Sequence, residues 1–277
     1  MILDLTKIFL KIKKSSDGIF YTNSNHSISY PSDGNELCMQ VEESSFWFNH
    51  RNNIIAETIK NYNLEKVFLD IGGGNGFVSK RLQDDGFKVI LIEPGKVGAQ
   101  NSYSRGIQNV ICSTLEETGL KKESIYSVGL FDVIEHIEND RQFLRNVNGY
   151  LKDGGYLYIT VPSYKFLWSK EDDEAGHFKR YTLSKLKKLL QESGFKSEYS
   201  TYIFSLLPIP IFLLRVLPEK IGINLKNHGK EKVQNEHTLK NGILATLTQL
   251  LWNFELFMVR KKIRIPFGGS CFVVCKK

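Results

Sequence analysis

The chain is short of the residues that staple or interrupt a fold: four cysteines and seven prolines in 277 residues. Cys38, Cys112, Cys271 and Cys275 form no CxxC pair and no disulfide framework, so a reducing, cytoplasmic setting is expected. No uninterrupted apolar run reaches membrane-spanning length. The opening MILDLTKIFLKIKKSS lacks a long apolar core and a small-residue cleavage site, and does not read as a signal peptide. A phosphate clamp is missing too. Gly95-Lys96 and Gly229-Lys230 are followed by Val97 and Glu231 rather than by Ser or Thr, which excludes a P-loop. A dinucleotide fingerprint fits poorly, because the third glycine position is Phe77 counted from Gly72 and Ser79 counted from Gly74.

What is present is an ordinary soluble composition, 42% hydrophobic and 24% charged, in a chain long enough for a substantial core. The net charge of +7 allows an anionic partner, but the basic residues read as scattered, with two short clusters. Residues 1–45, with SSDG, TNSNHS and PSDGN, read as an irregular N-terminal extension. Strands then alternate with helices. A helix over 52–62 precedes the strand VFLDI, and a second helix runs from Gly76 to Gln83. FKVILIE, QNVIC and SIYSVGLF are strands, 139–151 is a helix, and GYLYITV is a fifth strand. Thr182 caps a further helix, YSTYIF follows, and GSCFVVCKK is last. This alternation predicts an α/β parallel sheet with helices on both faces, spanning 46–204 and 267–277. Cys271 and Cys275 share one face of the last strand and read as small buried hydrophobes. Residues 205–266 stand outside the alternation and read as a helical insertion before the last strand.

The glycine loop leaves Asp-x-Gly-x-Gly-x-Gly, that is Asp70, Gly72, Gly74 and Gly76, with the acid Glu93 ending the next strand. A carboxylate there recognises paired ribose hydroxyls, and Asp70 can either accept from an ammonium-bearing ligand or orient the loop. With no phosphate clamp, the set suits a cationic, phosphate-free nucleoside, for which S-adenosylmethionine is the obvious choice. DIGGGNG, LIEP, GLFDVIEHI and LKDGGYLYITVP, in that order and spacing, resemble the motifs of class I S-adenosylmethionine-dependent methyltransferases, over roughly Val41–Phe204 and Gly269–Lys277. The resemblance implies a Rossmann-like seven-stranded sheet with a final antiparallel strand. It implies S-adenosylmethionine as cofactor, S-adenosylhomocysteine as product, and contacts at Asp70, Gly72, Gly73, Gly74, Glu93 and Pro94 and near Leu130, Phe131 and Asp132. Where the family carries an acid for the adenine amine, CSTLEE offers Ser113, Thr114 and Leu115, and the fourth strand opens Ile125-Tyr126 rather than Phe-Asp.

Methyl transfer to a hydroxyl needs a positioned acceptor and a group that takes its proton. Asp132, Glu135 and His136 fall on one side of a helical turn after the fourth strand, and His177 lies in the loop after the fifth. His136, His177 and Glu135 are the catalytic candidates. The bland alternative is that His136 caps local structure and Glu135 pairs with an arginine. The same four residues have donor types for a divalent cation and resemble signatures of ubiquinone-pathway and small-RNA 2′-O-methyltransferases, but no metal is expected. Phe46, Trp47, Phe48 and Arg51 read as folding over the cofactor, with Arg51 near its carboxylate and Trp47 reaching the substrate, the alternative being that the three aromatics only cover the sheet edge. Asp173, Arg180 and Tyr181 are acceptor-pocket candidates by resemblance, and an ordinary ion pair is the alternative for the first two.

The apolar segments 206–217 and 242–259, with Arg260, Lys261, Lys262 and Arg264, read as a helical lid or as a peripheral contact with the inner face of a membrane. Gln249, Asn253 and Glu255 argue against a span. The expected function is O-methylation of a small-molecule or glycan- or lipid-linked acceptor. An RNA methyltransferase and a non-catalytic cofactor-binding protein are the alternatives. Nucleic acid is not expected as a partner, since no RNA-binding module or stacking platform is visible.

Overall fold

A computed structural model describes residues 4–23, 32–62, 65–222 and 243–277. One mixed sheet organises the chain. Its strands are β1 (Lys13–Lys14), β2 (Phe20–Tyr21), β3 (Val67–Ile71), β4 (Lys88–Glu93), β5 (Val110–Cys112), β6 (Ile125–Phe131), β7 (Leu151–Pro162), β8 (Lys196–Ile203) and β9 (Ser270–Lys276). The order is β1-β2-β5-β4-β3-β6-β7-β9-β8. β9 runs antiparallel to both β7 and β8, and β3 to β7 are parallel. The chain winds outward from β3 through β4 to β5 and then returns to β6 on β3's other side. That reversal opens a crevice at the carboxyl ends of β3 and β6, where ligands bind in sheets of this type.

Helices cover both faces. On one face lie α5 (Asp140–Tyr150) and α7 (Leu183–Glu192), with Leu144, Val147, Leu186 and Leu190 inward. Each start is set by its cap, Asn139 accepting from Gln142 N–H and Thr182 from Lys185 N–H. On the other face, α2 (Phe46–Tyr62) and α3 (Phe77–Asp84) pack Ile54, Ile55, Ile59 and Leu82 against Phe68 and Tyr158. The remaining helices α4 (Lys96–Ser104) and α6 (Lys170–Glu174) lie over β5 and after β7. Cys271 and Cys275 are fully buried in the first core.

The expected seven strands are β3 to β9, and one expectation needs correction: residues before 46 are not simply irregular, and add two short strands to the sheet. SSDG forms a tight turn, with Gly18 N–H bonded to Ser15 O, that folds β1 back on β2, and β2 adds in parallel to β5. Leu5, Phe9 and Ile19 are buried beneath it, and α1 (Ser32–Val41) follows. Two-residue strands show no alternation of apolar and polar residues, so only their pairing partner reveals them. The stretch 24–31 lies outside the described residues.

The described parts of 205–266 are helical: α8 (Pro208–Ile211), a π turn (Phe212–Val216), α9 (Leu217–Lys220) and α10 (Ile243–Arg260). α10 lies on α2 through Trp252, Glu255 and Val259. Its Glu255 is buried and accepts from His50 Nε2 (2.9 Å), Phe204 N–H (2.7 Å) and Ser205 N–H (2.9 Å), which holds its carboxyl below the usual range despite burial. The polar, lysine-rich stretch 223–242 lies outside the described residues. No helix among the described residues is long and apolar enough to cross a membrane.

Candidate active site

A cavity of about 990 Å³ opens at the β3–β6 crevice. Its first wall is the β3–α3 loop. Gly72, Gly74 and Gly76 all adopt positive φ, and a Cβ on Gly72 would sit 2.8 Å from the Val133 side chain. Only glycine permits both the turn and the close approach there. Asp70, ending β3, is 1% exposed. One carboxylate oxygen accepts from Ser79 Oγ at 2.7 Å, while the other has no hydrogen-bond partner among the described residues. Burial pushes its pKa up to about 6, against the pull of Ser79 and Arg51.

Glu93 faces the same cavity from the end of β4. Its two oxygens accept the N–H groups of Gly74 (2.9 Å) and Gly95 (2.7 Å), leaving further lone pairs for a vicinal diol. Burial again dominates and moves its pKa up to about 7. Pro94 lies beside it, and Ser113, Thr114 and Leu115 form the adjoining wall. Ser113 Oγ is engaged by Thr22 Oγ1 at 2.9 Å and Thr114 Oγ1 by Glu117 at 3.0 Å, so neither hydroxyl stands open for an adenine amine. The exposed acid Glu116 on the same rim has the charge for that contact. In CSTLEE it follows Leu115 directly, so its position and charge are legible in the sequence.

At the opposite wall Arg51, 9% exposed, reaches Asp132 with 2.7 Å between Nη2 and Oδ2, and lies 5.4 Å from the Trp47 ring. Asp132 adopts φ +58° and also accepts from Thr160 Oγ1 at 3.1 Å. Trp47 lines the cavity and stacks on Phe204 with 5.2 Å between ring centres. A lid over the glycine loop went unnoticed in the sequence. α1 contributes Asn35, Cys38 and, just beyond its end, Glu42 to the lining. Asn75 Nδ2 bonds Asn35 O (2.8 Å) and Glu42 (3.2 Å), and Arg105 pairs with Glu42 at 2.7 Å. The side chain between Gly74 and Gly76 is thus what ties α1 down.

The other end of the cavity is assembled from two distant loops. Phe178 N–H donates to Glu135 O at 2.7 Å, which brings the β6 exit against the β7–α7 connection. His136 and His177 meet edge to face, 4.7 Å between ring centres, and both line the cavity. Burial, then the neighbouring His177, push His136 down to about 4, so it is neutral at physiological pH. His177 Nδ1 lies 2.8 Å from the buried carboxylate of Asp172. Asp172 also accepts from Arg180 Nε (2.7 Å) and Ser169 N–H (3.0 Å), and these partners hold its pKa below the ordinary value although burial opposes them. Glu135 is 1% exposed, and both its oxygens lack a hydrogen-bond partner among the described residues, so no arginine pairs with it. Burial and Asp132 hold it well above the carboxylate range.

Four expected positions fall outside the lining. Leu130 is fully buried in the core, because β6 presents it to α5 rather than to the crevice. Asp173 accepts from Trp168 Nε1 at 3.1 Å, and its neighbour Asp172 takes the inward place. Arg180 is spent on Asp172 and Ser163 O, while Tyr181 is buried with its hydroxyl on Asp140 at 2.8 Å. Of the four cation-ligand types, the structure gathers Glu135, His136 and His177, whose ligand atoms lie within 4.8 Å of one another, while Asp132 is held by Arg51. An unpartnered buried carboxylate beside two imidazoles fits a divalent cation.

A sheet of this order, with a glycine loop and a buried acid at its switch point, is the architecture of a Rossmann-like methyltransferase. The family model described as a methyltransferase domain matches residues 48–199, and the chain belongs to that family, as a class I S-adenosylmethionine-dependent methyltransferase. S-adenosylmethionine is its cofactor. The ubiquinone biosynthesis O-methyltransferase of Rickettsia felis is 33% identical over 116 residues, covering 39% of this chain and 47% of that protein. The chain thus spans about half the length of the curated relatives it matches. Among solved structures, phosphoethanolamine N-methyltransferase 2 of Haemonchus contortus superposes with a TM-score of 0.55 at 16% identity, over 90% of this chain and 58% of that one. An S-adenosylmethionine-dependent methyltransferase of Archaeoglobus fulgidus gives 0.51 at 18%, over 82% and 94%. Both show the fold.

Proposed function

We propose that the protein methylates a hydroxyl oxygen of a small acceptor, with His177 as the base. The observation that carries this reading is the Asp172–His177 pair at the mouth of the cofactor cavity. A carboxylate on Nδ1–H fixes the tautomer that leaves Nε2 free to accept a proton, and it stabilises the imidazolium that results. The acceptor oxygen forms a bond to the methyl carbon as the carbon–sulfur bond breaks and its electron pair returns to the sulfonium. The hydroxyl proton passes to His177 Nε2. Neutral His136 orients the acceptor, and Trp47 and Phe131 exclude water beside the sulfonium. The O-methyltransferase name carried by the Rickettsia relative supports oxygen over nitrogen.

Glu135, with its unpartnered carboxylate, favours a second reading that competes with the first. Glu135, His136 and His177 would hold a divalent cation, which when bound would lower the pKa of an acceptor hydroxyl, and His177 would then be a ligand through Nε2 rather than the base. Radiolabelled methyl transfer to panels of hydroxyl- and amine-bearing acceptors tests the main reading. His177→Ala should lower kcat by about 10²- to 10⁴-fold, and Asp172→Asn should lower it and shift the pH–rate profile. Unchanged rates in both variants would remove His177 from the chemistry, and transfer confined to amines would overturn oxygen as the acceptor atom.

A further inference from the structure

The inserted segment carries charge and apolar surface that the methyl-transfer site does not use. Residues 205–266 hold ten Lys and Arg against four Glu, so six of the chain's seven net positive charges fall in this insertion. The cations that read as scattered along the whole chain are concentrated once the segment is counted by itself.

α10 has two opposed faces. Trp252, Glu255 and Val259 face α2, and opposite them Leu247, Leu250, Phe254 and Phe257 recur at helical spacing and face solvent. Leu250 is 59% and Phe254 61% exposed. The 206–221 stretch does the same with Leu206, Ile209, Leu213, Leu217 and Ile221. α10 docks on α2 through its Trp252 side, and among the described residues the outer stripe packs against no other element. Apolar surface of this extent marks an interaction site.

Cations follow the helix: Lys261 and Arg264 are exposed beyond its end, while Arg260 pairs with Glu57 of α2 at 3.1 Å and Lys262 lies over the Tyr62 ring. The chain then runs along the edge strand β8, where Ile265 N–H bonds Thr201 Oγ1 and Tyr199 OH bonds Ile263 O. Arg264 there joins Lys187, Lys188 and Lys196 around a groove of about 820 Å³ with no acid among its described lining residues. An apolar helix face bordered by cations matches the acyl boundary and phosphate layer of an anionic bilayer. A second copy of this chain matches it poorly, because burying the stripe against itself would bring two sets of like charges together.

We infer that this face of the insertion docks the enzyme on an anionic phospholipid surface. The mouth of the cavity is close to that surface in the fold: Arg215 pairs with Glu171 at 3.0 Å, and Glu219 accepts from Lys170 N–H, on the helix that bears Asp172. Docking is independent of which atom is methylated, so failure of either reading leaves the other standing.

Vesicle co-sedimentation of the full chain tests it, using phosphatidylcholine with and without phosphatidylglycerol at low and high salt. The wild-type protein should pellet with the anionic vesicles at low salt and be released at high salt, a result that needs no variant. Lys261→Gln with Arg264→Gln should weaken binding about fivefold for each charge removed. Phe254→Asp should abolish it while cofactor titration remains unchanged. Wild-type protein left in the supernatant with anionic vesicles overturns the proposal, as does equal binding to neutral ones. A dimer in light scattering that Phe254→Asp dissolves would assign the face to a second copy instead.

Discussion

At the β3–β4 end of the cavity, the proposed cofactor end, the lining is glycine backbone and two acids already held in the ligand-free fold. At the β6 end, the proposed acceptor end, it is side chains about forty residues apart, brought together by the backbone bond between Phe178 and Glu135. The first end is rigid and locally encoded: Gly72, Gly74 and Gly76 accept the strained turn, and Glu93 is held by two N–H groups of neighbouring loops. The second is a cluster of titratable groups in which Glu135 has no hydrogen-bond partner among the described residues. Preorganisation at one end and unspent polar groups at the other suit a constant cofactor and an acceptor that varies among family members.

This contrast can be broken by crossing variants from the two ends. His177→Ala should cost two to four orders of magnitude in kcat and leave the cofactor dissociation constant unchanged, read by single-turnover kinetics and calorimetry. Glu93→Ala should do the reverse, weakening cofactor binding by about ten- to a hundredfold, because two buried N–H donors and a ribose diol lose their acceptor. A large cofactor effect in the first variant would show that the ends are not separable. Gly72→Ala should destabilise the ligand-free protein by about 2 kcal/mol, through the strained φ and the 2.8 Å contact with Val133, read by denaturant unfolding.

The smallest expected effect is that of pH. Asp70 and Glu93 titrate at about 6 and about 7 in the fold, above the ordinary carboxylate range. Between that range and pH 7 the native state therefore holds more protons than the unfolded chain, and these two groups make ligand-free stability fall as pH rises. Ionised, they accept better from the cofactor's hydroxyls and ammonium, so affinity should rise over the same window, and Glu93→Gln should flatten the rise. Glu255 works in the opposite sense: its lowered pKa supports the insertion above the ordinary carboxylate range, and that support is lost as pH falls through it. Thermal unfolding across pH 3 to 8, about the range over which these groups titrate, should show both slopes.

Legibility followed contiguity. The strand–glycine–helix unit, Glu93, the caps at Asn139 and Thr182 and the buried cysteine strand could all be read from sequence, because each depends on neighbours within a few residues. Asp172 could not be told from Asp173, since only the turn after Ser169 decides which carboxylate faces His177. Leu130 looked like a cofactor contact by its place in a motif, and the pleat of β6 turned it into the core.

The amino-acid sequence alone carried the methyl donor: the glycine loop after Asp70 and the motifs that follow it resemble those of S-adenosylmethionine-dependent methyltransferases, and each depends on residues close together in the chain. Tertiary structure alone decided the rest. It placed α1 over the loop through Asn75, brought the ligand atoms of Glu135, His136 and His177 within 4.8 Å of one another, and left Leu250 and Phe254 of α10 exposed. These depend on which segments meet across the sheet, and pairing between distant segments is set by the packing of the whole core rather than by the spacing of residues along the chain.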